Sequence, residues 1–151
     1  MKEQITYQPF EESDSEPLIK MCKKLWKKFE EEDLKKLLVQ MGQNNKQKVL
    51  IAKTAANKSV GFSIFSIRID YVEGAEQTPT GYLEGIFVEP AYRKMGIAKE
   101  FIKLGEKWCK ENECSQIGSD TWLTDTASRK FHKSVGFWEE DELIHFLKNI
   151  K

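Results

Sequence analysis

A strand, a turn and a helix follow one another between residues 82 and 111, and this unit constrains the fold more than any other segment. Residues 82–88 are mostly apolar, as in a buried strand, and Pro90 ends the run. From Ile97 onwards, apolar residues recur at the three- and four-residue steps of a helix. The turn between them contains Gly96. We therefore expect an α/β fold in which this turn leads directly into a core helix.

The start of this helix is a candidate anion-binding site. Its first backbone N–H groups lack intrahelical partners, and Gly96 lets the backbone approach a phosphate because it has no Cβ. Ala98 keeps the first turn narrow, while Arg93 and Lys94 add positive charge. A pyrophosphate matches this description. In isolation, a plain glycine turn into a core helix explains the same residues equally well.

Hydrophobic periodicity and turn residues predict the other elements. Alternating apolar residues indicate strands, and apolar residues at three- and four-residue steps indicate helices. In chain order we expect a strand at 5–10, two helices between about 14 and 42, a hairpin of strands at 49–53 and 60–69, an acidic loop at 70–81, the strand–turn–helix unit, a short strand near 117, a helix from 124 or 125 to 135, and a final strand at 143–147.

Composition limits the classes of partner. The chain has 151 residues, a length that suits one domain, and its 24 Lys and Arg residues balance 24 Asp and Glu residues. Because zero net charge removes the basic field on which nucleic-acid binding depends, we expect no nucleic-acid partner. No apolar run approaches the roughly 18 residues that a membrane helix needs, so we expect no membrane partner.

The cysteines predict neither a metal site nor a disulfide framework. Cys22, Cys109 and Cys114 are odd in number and form no Cys-x-x-Cys pair, and only His132 and His145 offer imidazole ligands. No signal-peptide pattern follows the first residue. We therefore expect a cytoplasmic location. Because no cysteine has a base at matched spacing, a covalent enzyme intermediate on a thiol is not expected.

Two segments resemble the signatures of the GCN5-related N-acetyltransferase (GNAT) superfamily. The first is residues 83–93 with the glycine turn, and the second is residues 126–137, a helix ending in Gly-Phe. The order of predicted elements also resembles that fold. The resemblance implies one N-acetyltransferase domain over residues 1–151, a mixed twisted sheet with a splayed central strand pair and flanking helices, and acetyl-CoA as co-substrate.

A closer resemblance, at residues 66–74, 83–88 and 118–121, is to aminoglycoside 6′-N-acetyltransferases. His132 adds to it, because many superfamily members carry Tyr at that position whereas this subfamily often carries His. The resemblance implies direct acetyl transfer to the 6′-amine of a small cationic aminoglycoside, hence antibiotic resistance, and makes a homodimer possible. Two alternatives remain open: acetylation of a polyamine, peptide amine or other small metabolite, and a non-catalytic acyl-CoA-binding module.

The resemblance also implies which residues bind the co-substrate. The backbone around Phe87 and Val88 is expected to bind pantetheine and the thioester carbonyl, and the following turn is expected to bind pyrophosphate. A side chain at position 96 is expected to crowd that turn. The expected cofactor-binding set is Phe87, Val88, Arg93, Lys94, Met95, Gly96, Ile97 and Ala98.

Three residues are candidates for catalysis. Glu84 lies four residues before Val88, so by the two-residue period of a strand we expect both on one face, with Glu84 as the base that accepts the ammonium proton. Asp120 is similar in position to a substrate-binding Asp of the resembled enzymes. His132 is a candidate acid for the departing thiolate. The alternatives are a salt-bridged strand carboxylate, a helix-capping Asp and a His that only bonds its neighbours.

A cationic, sugar-like substrate is best held by carboxylates and aromatic faces. The acidic loop contains Asp70 and Tyr71, and Tyr71 is similar in position to a substrate-contacting Tyr of the resembled enzymes. Trp26 is either a pocket wall or a core residue. The expected substrate-binding set is Trp26, Asp70, Tyr71, Glu84 and Asp120.

Overall fold

The computed structural model describes residues 3–151, and its strands form one mixed sheet in the order β1-β2-β3-β4-β5. Strands β1 to β4 are antiparallel neighbours, and β5 runs parallel to β4. The strands are β1 (Ile5–Pro9), β2 (Gln47–Thr54), β3 (Ser59–Arg68), β4 (Thr80–Val88) and β5 (Ile117–Ser119).

Four α-helices accompany the sheet, and their positions confirm the predicted ones. Short 3₁₀ turns at Glu12–Asp14 and Pro90–Tyr92 precede α1 and the glycine turn. The Asp125 carboxylate caps the last helix by accepting the N–H of Ser128 at 3.0 Å. The helices are α1 (Ser15–Leu25), α2 (Glu31–Gly42), α3 (Ile97–Glu111) and α4 (Thr126–Ser134).

The helices cover both faces of the sheet. Leu18 of α1 and Leu34 of α2 pack with Ile51 and Phe62 on one face. Phe101 of α3 packs on the other face, in a separate cluster with Val60, Val88 and Ile97. Because β2, β3 and β4 are covered on both sides, most of their residues are apolar, as the sequence predicted.

The pairing of β4 with β5 is short, and this opens the sheet. Only Gly81–Leu83 of β4 pair with Ile117–Ser119 of β5. Strand β4 continues to Val88, and within residues 3–151 its last five residues have no strand partner on the β5 side. The splayed strand pair expected from the sequence is thereby confirmed.

A β-bulge in β4 makes Glu84 an extra residue. Ile64 of β3 pairs with Gly85, but the next residue, Phe65, pairs with Leu83, so Glu84 has no direct partner. The bulge resets the two-residue alternation. Val88 therefore faces α3 while Glu84 bonds to side chains on the opposite face, and the expectation that both share a face is wrong.

Two other sequence expectations need correction. The acidic loop ends two residues earlier than predicted, because β4 already begins at Thr80. Residues 143–147 form no strand: they have no regular secondary structure, are exposed and lack strand partners among the described residues. In that same part of the chain, no helix has the length and apolarity needed to cross a bilayer.

Candidate active site

The Glu84 carboxylate is held by two side chains of the neighbouring strand. Its Oε1 accepts the Ser66 hydroxyl at 2.7 Å and the Arg68 guanidinium at 2.7 Å and 3.1 Å. Among residues 3–151, its Oε2 has one donor, Arg68 Nη2 at 3.0 Å. Ser66 and Arg68 are two residues apart on β3 and therefore point to the same face. The salt-bridged carboxylate considered from the sequence is what the structure contains.

Arg68 also connects Glu84 to Asp120. Its guanidinium lies 3.4 Å from the centre of the Tyr82 ring, and the Tyr82 hydroxyl donates to Asp120 Oδ2. Burial, with the hydrogen bond to Asp120, raises the pKa of Tyr82 above its usual range. Tyr82 thus stays a donor throughout the neutral range. The network brings β3, β4 and the end of β5 together.

An open cleft of about 430 Å³ borders this network. Glu84 and Arg68 line it, together with Asp70 and Tyr71 from the acidic loop. The structure therefore brings Glu84, Asp70 and Tyr71 to one cleft. Asp120 reaches the cleft only through Tyr82 and Arg68.

Trp26 lies behind the strand rather than in the cleft lining. Its indole packs against Gly85, where a Cβ would come within 2.6 Å of the ring, and its centroid is 6.1 Å from that of Phe62. Gly85 is thus required by this close approach. The contacts are those of a half-buried core residue, one of the two roles considered for Trp26.

Both ring nitrogens of His132 have partners. Nδ1 lies 2.7 Å from the carbonyl oxygen of Ser128, and because a carbonyl only accepts, Nδ1 carries the proton. Nε2 lies 2.7 Å from the Ser119 hydroxyl and forms a second hydrogen bond with it. His132 therefore fastens α4 to β5, the second of the two roles considered from the sequence.

The turn before α3 has the geometry of an anion site. Lys94 and Gly96 have φ values of +65° and +83°. The first bond of the helix runs from Glu100 N–H to Gly96 C=O at 3.0 Å, so the amides of residues 97–99 have no intrahelical partner. No atom lies within 4 Å of a Cβ built at Gly96, so the expected crowding is wrong: the left-handed φ, not space, favours glycine.

The end of β4 is tied to this turn. Arg93 Nε donates to the Val88 carbonyl at 2.8 Å, and its guanidinium lies 5.6 Å from the Phe87 ring. Glu89 N–H bonds to Val60 of β3 at 2.8 Å, so by strand alternation the backbone groups of Ile86 and Val88 point away from β3. Because Arg93 occupies the Val88 carbonyl, open backbone groups lie at Ile86 and at the Val88 N–H rather than at Phe87.

A comparison with known proteins identifies the family. A model of the acetyltransferase (GNAT) family matches residues 18–137. The aminoglycoside N(6′)-acetyltransferase type 1 of Acinetobacter haemolyticus is 31% identical over 142 residues, which cover 94% of this chain and 97% of the relative. The chain belongs to the acetyltransferase (GNAT) family. The relative of the same name from Acinetobacter baumannii is 32% identical over 142 residues, which again cover 94% of this chain and 97% of the relative.

Solved structures show that this GNAT protein has the fold of the family. AAC(6′)-Iy in complex with the bisubstrate analogue CoA-S-monomethyl-acetylneamine superimposes with a TM-score of 0.91 at 30% identity, covering 97% of this chain and 99% of that one. AAC(6′)-Ih from Acinetobacter baumannii superimposes with a TM-score of 0.91 at 31% identity, covering 98% of this chain and 100% of that one. The chain is an acetyl-CoA-dependent acetyltransferase, homologous over almost its whole length to aminoglycoside 6′-N-acetyltransferases.

The acetyltransferase has the groups that acetyl-CoA requires. Three free amides at the N-terminus of a 15-residue helix, beside a glycine with open space around it, suit a pyrophosphate. The unpaired side of β4 offers backbone hydrogen bonds to an extended amide chain such as pantetheine. The residues present therefore fit the co-substrate.

The sequence reading missed several residues of this site. Ser66, Arg68 and Tyr82 hold the two acidic candidates, and Asn44, Lys46 and Gln47 line the cleft opposite the acidic loop. One signal was available: an Arg and a Ser two residues apart on a strand next to a half-buried Glu favour pairing. No local pattern places residues 44–47 there, since they form the approach to β2 and its first residue.

Proposed function

We propose that this acetyltransferase acetylates the 6′-amine of aminoglycosides. The observation that carries the proposal is the cleft in which Glu84, Asp70 and Tyr71 meet beside the splayed part of β4. Carboxylates and an exposed aromatic ring suit a hydrated ammonium group. The names of the relatives and the aminoglycoside-derived analogue bound by AAC(6′)-Iy support the same acceptor.

Glu84 is proposed to accept one proton from the substrate ammonium, directly or through water. Its Oε1 already accepts from Ser66 and Arg68, so Oε2, with one protein donor, is the oxygen open to the substrate. Proton removal is required because only a neutral amine attacks a thioester. In this proposal Arg68 fixes the direction in which the carboxylate presents Oε2.

Asp120 is proposed to bind a second ammonium group of the substrate. Its Oδ2 accepts from Tyr82, and the carboxylate is otherwise exposed at the end of β5. His132 belongs to the site as the residue that fixes β5 through Ser119, because neither ring nitrogen is free to serve as an acid. Trp26 supports Glu84 from behind through its contact with Gly85.

Acetyl-CoA, when bound, supplies the acetyl group as an activated thioester. The proposed role of the chain is to hold it: the amides from Lys94 to Ala98 would bind pyrophosphate, and the backbone of residues 86–88 would bind pantetheine. Arg93 would hold this turn against the end of β4 through its bond to the Val88 carbonyl. Met95 is exposed beside the turn. Direct attack in a ternary complex follows, since the three cysteines are buried.

The proposal extends to the organisation of the protein. Residues 1–151 are proposed to form a single acetyltransferase domain, which works as a homodimer and confers aminoglycoside resistance. A cytoplasmic location is proposed because all three thiols are free, as is usual in a reducing compartment.

A thiol-release assay over a panel of amines tests this function. We expect turnover with aminoglycosides that carry a 6′-amine and none with 6′-hydroxy analogues, together with matching protection of a sensitive host. Faster turnover of a polyamine or peptide amine than of any aminoglycoside would show that the acceptor belongs to another class of amine. Binding of acetyl-CoA without turnover of any amine would instead support the non-catalytic module.

A further inference from the structure

Trp122 presents its indole to solvent on the turn between β5 and α4. The residue is 76% exposed, yet its backbone is held in place. The Asp125 N–H donates to the Trp122 carbonyl at 3.0 Å, and the Asp125 carboxylate caps α4. Exposure of one aromatic ring does not by itself mark a binding site. What lies on the ring therefore decides its role.

An ammonium group lies on the Trp122 ring. Lys28 Nζ is 5.8 Å from the ring centroid, within the range of a cation–π contact. Lys28 belongs to the turn between α1 and α2, and the nearby Glu31 carboxylate pairs with Lys23 and Lys35 instead. Within residues 3–151, Lys28 forms no ion pair. The ring thus attracts a cation that has no stronger partner.

This contact lies beside the acidic residues of the candidate active site. Trp122 follows Asp120 by two residues, which span at most about 7 Å of chain. Lys28 follows Trp26 by two residues, and Trp26 packs behind β4 next to Glu84. The contact therefore joins the α1–α2 turn to the β5–α4 turn, where β4 has no strand partner on the β5 side.

We propose that the Trp122 ring is a binding subsite for an ammonium-bearing ring of the acceptor, and that Lys28 occupies this subsite until the acceptor displaces it. The inference rests on the proposed function and deepens it. Lys28 Nζ stands in for a substrate ammonium group other than the one that reacts. Trp122 and Asp120 together would offer an aromatic face and a carboxylate to the same part of the substrate.

Displacement of Lys28 follows from the unequal number of contacts. Lys28 reaches only the ring, whereas a polycationic acceptor would also pair with Asp120 and Glu84. The lysine and the acceptor exclude each other on the same face of the ring. Lys28 is therefore a built-in competitor, and it acts only as long as Trp122 is present. A protein partner is disfavoured, because the ring already holds a cation on its face.

The first test is a double-mutant cycle with the thiol-release assay. We expect Trp122→Ala to raise the aminoglycoside KM about tenfold, with the acetyl-CoA KM within about twofold, and Trp122→Phe to restore part of the loss. Lys28→Met should lower the aminoglycoside KM about two- to fivefold, but should have no such effect in the Trp122→Ala background.

Lys27→Met is the matched control for this cycle, since it removes the same charge from the same turn. We expect it to leave the aminoglycoside KM nearly unchanged. An unchanged KM in folded Trp122→Ala overturns the subsite. Equal effects of Lys27→Met and Lys28→Met would show general charge repulsion and overturn the competition.

The second test keeps both side chains and does not depend on how Trp122→Ala folds. Protein labelled with 5-fluorotryptophan carries the label at its four Trp positions, and Trp122→Phe identifies the ¹⁹F resonance of Trp122. Saturating sisomicin, an aminoglycoside with a 6′-amine, should shift this resonance and leave that of Trp108 on α3 unchanged. Bound and acetylated sisomicin with an unmoved Trp122 resonance overturns this inference alone. Neither binding nor turnover of sisomicin would contradict the proposed function, and this inference with it.

Discussion

The Arg68 guanidinium stacks on the Tyr82 ring at 3.4 Å, and this contact joins the two acidic residues of the site. Arg68 pairs with Glu84 through both carboxylate oxygens, while Tyr82 donates to Asp120. A flat guanidinium can stack and form bidentate bonds at the same time, which an ammonium group cannot do. The direction of the Glu84 carboxylate therefore depends on Arg68.

Replacing Arg68 tests this dependence. We expect Arg68→Ala to lower kcat by roughly ten- to a hundredfold, because a displacement of about 1 Å in a catalytic group has effects of that order. The KM for acetyl-CoA should stay within about twofold. Arg68→Lys keeps the charge without the planar fork and should recover activity only in part. Equal or faster turnover by Arg68→Ala would mean that Arg68 merely competes with the substrate for Glu84.

Glu84→Gln keeps the size of the side chain and abolishes proton acceptance. If Glu84 is the base, kcat should fall by about 10²–10⁴-fold in folded protein, the usual contribution of such a group. Activity should partly return at higher pH, as the neutral amine accumulates without help. An unchanged pH profile at the original rate would leave water or Asp120 as the base, and a defect confined to aminoglycoside KM would make Glu84 an ammonium anchor.

Asp120→Asn should raise the aminoglycoside KM or lower turnover while acetyl-CoA affinity stays nearly the same. The physical reason is loss of a carboxylate that pairs with a substrate ammonium group. Tyr82→Phe is the matched control, since it removes the hydrogen bond to Asp120 but keeps the charge. If calorimetry shows an equal loss of acetyl-CoA affinity in Asp120→Asn, Asp120 acts on the cofactor side.

Gly96→Asp should weaken acetyl-CoA binding at least tenfold. The new carboxylate would meet the pyrophosphate at the helix N-terminus, and a Cβ is strained at a φ of +83°. Gly96→Ala isolates the strain from the charge and should bind more tightly than Gly96→Asp. Gly42→Asp is a control for an added charge, because Gly42 also has open space around it but lies at the end of α2. Unchanged affinity in folded Gly96→Asp would remove this turn from the site.

The buried thiols should make the protein less stable at alkaline pH. Burial raises the pKa of Cys22 and of Cys109 from 9.0 to about 12. Between these values the unfolded chain has lost the thiol protons and the folded one keeps them, so the free energy of unfolding falls as pH rises above 9. Each thiol contributes a slope of up to about 1.4 kcal/mol per pH unit.

Urea unfolding between pH 7 and pH 10 measures this slope, and comparison with a Cys22 variant separates the thiol from the tyrosines, which begin to titrate near pH 10 in the unfolded chain. Cys22→Ala should be less stable at pH 7, because it leaves a cavity, but should lose less stability between pH 9 and pH 10. Parallel curves for the two proteins would show that Cys22 does not contribute to the alkaline loss.

Much of the fold could be predicted because it depends on local patterns. Apolar spacing located α1 and α2, and the apolar runs at 49–53 and 60–69 located the β2–β3 hairpin. Gly96 and the residues after it identified the anion-binding helix start, since unpaired amides and a left-handed φ are properties of a few adjacent residues. The motifs at 83–93 and 126–137 then predicted the family, which the comparisons confirmed.

The rest depends on contacts between residues far apart in the chain. The bulge at Glu84 arises from the register between β3 and β4, and no local pattern shows it. The same holds for the partners of Glu84 and Asp120, which come from other strands.

The amino-acid sequence by itself determined the elements, their order, the helix start at Gly96 and the acidic candidates, because each follows from backbone preference, periodicity or a short motif. Only the tertiary structure decided the direction of the Glu84 carboxylate and the engagement of His132 with Ser119. It also left residues 143–147 outside the sheet, although their apolar pattern predicts a strand. The physical reason is that strand pairing and side-chain orientation depend on register and on neighbouring elements, neither of which local propensity encodes.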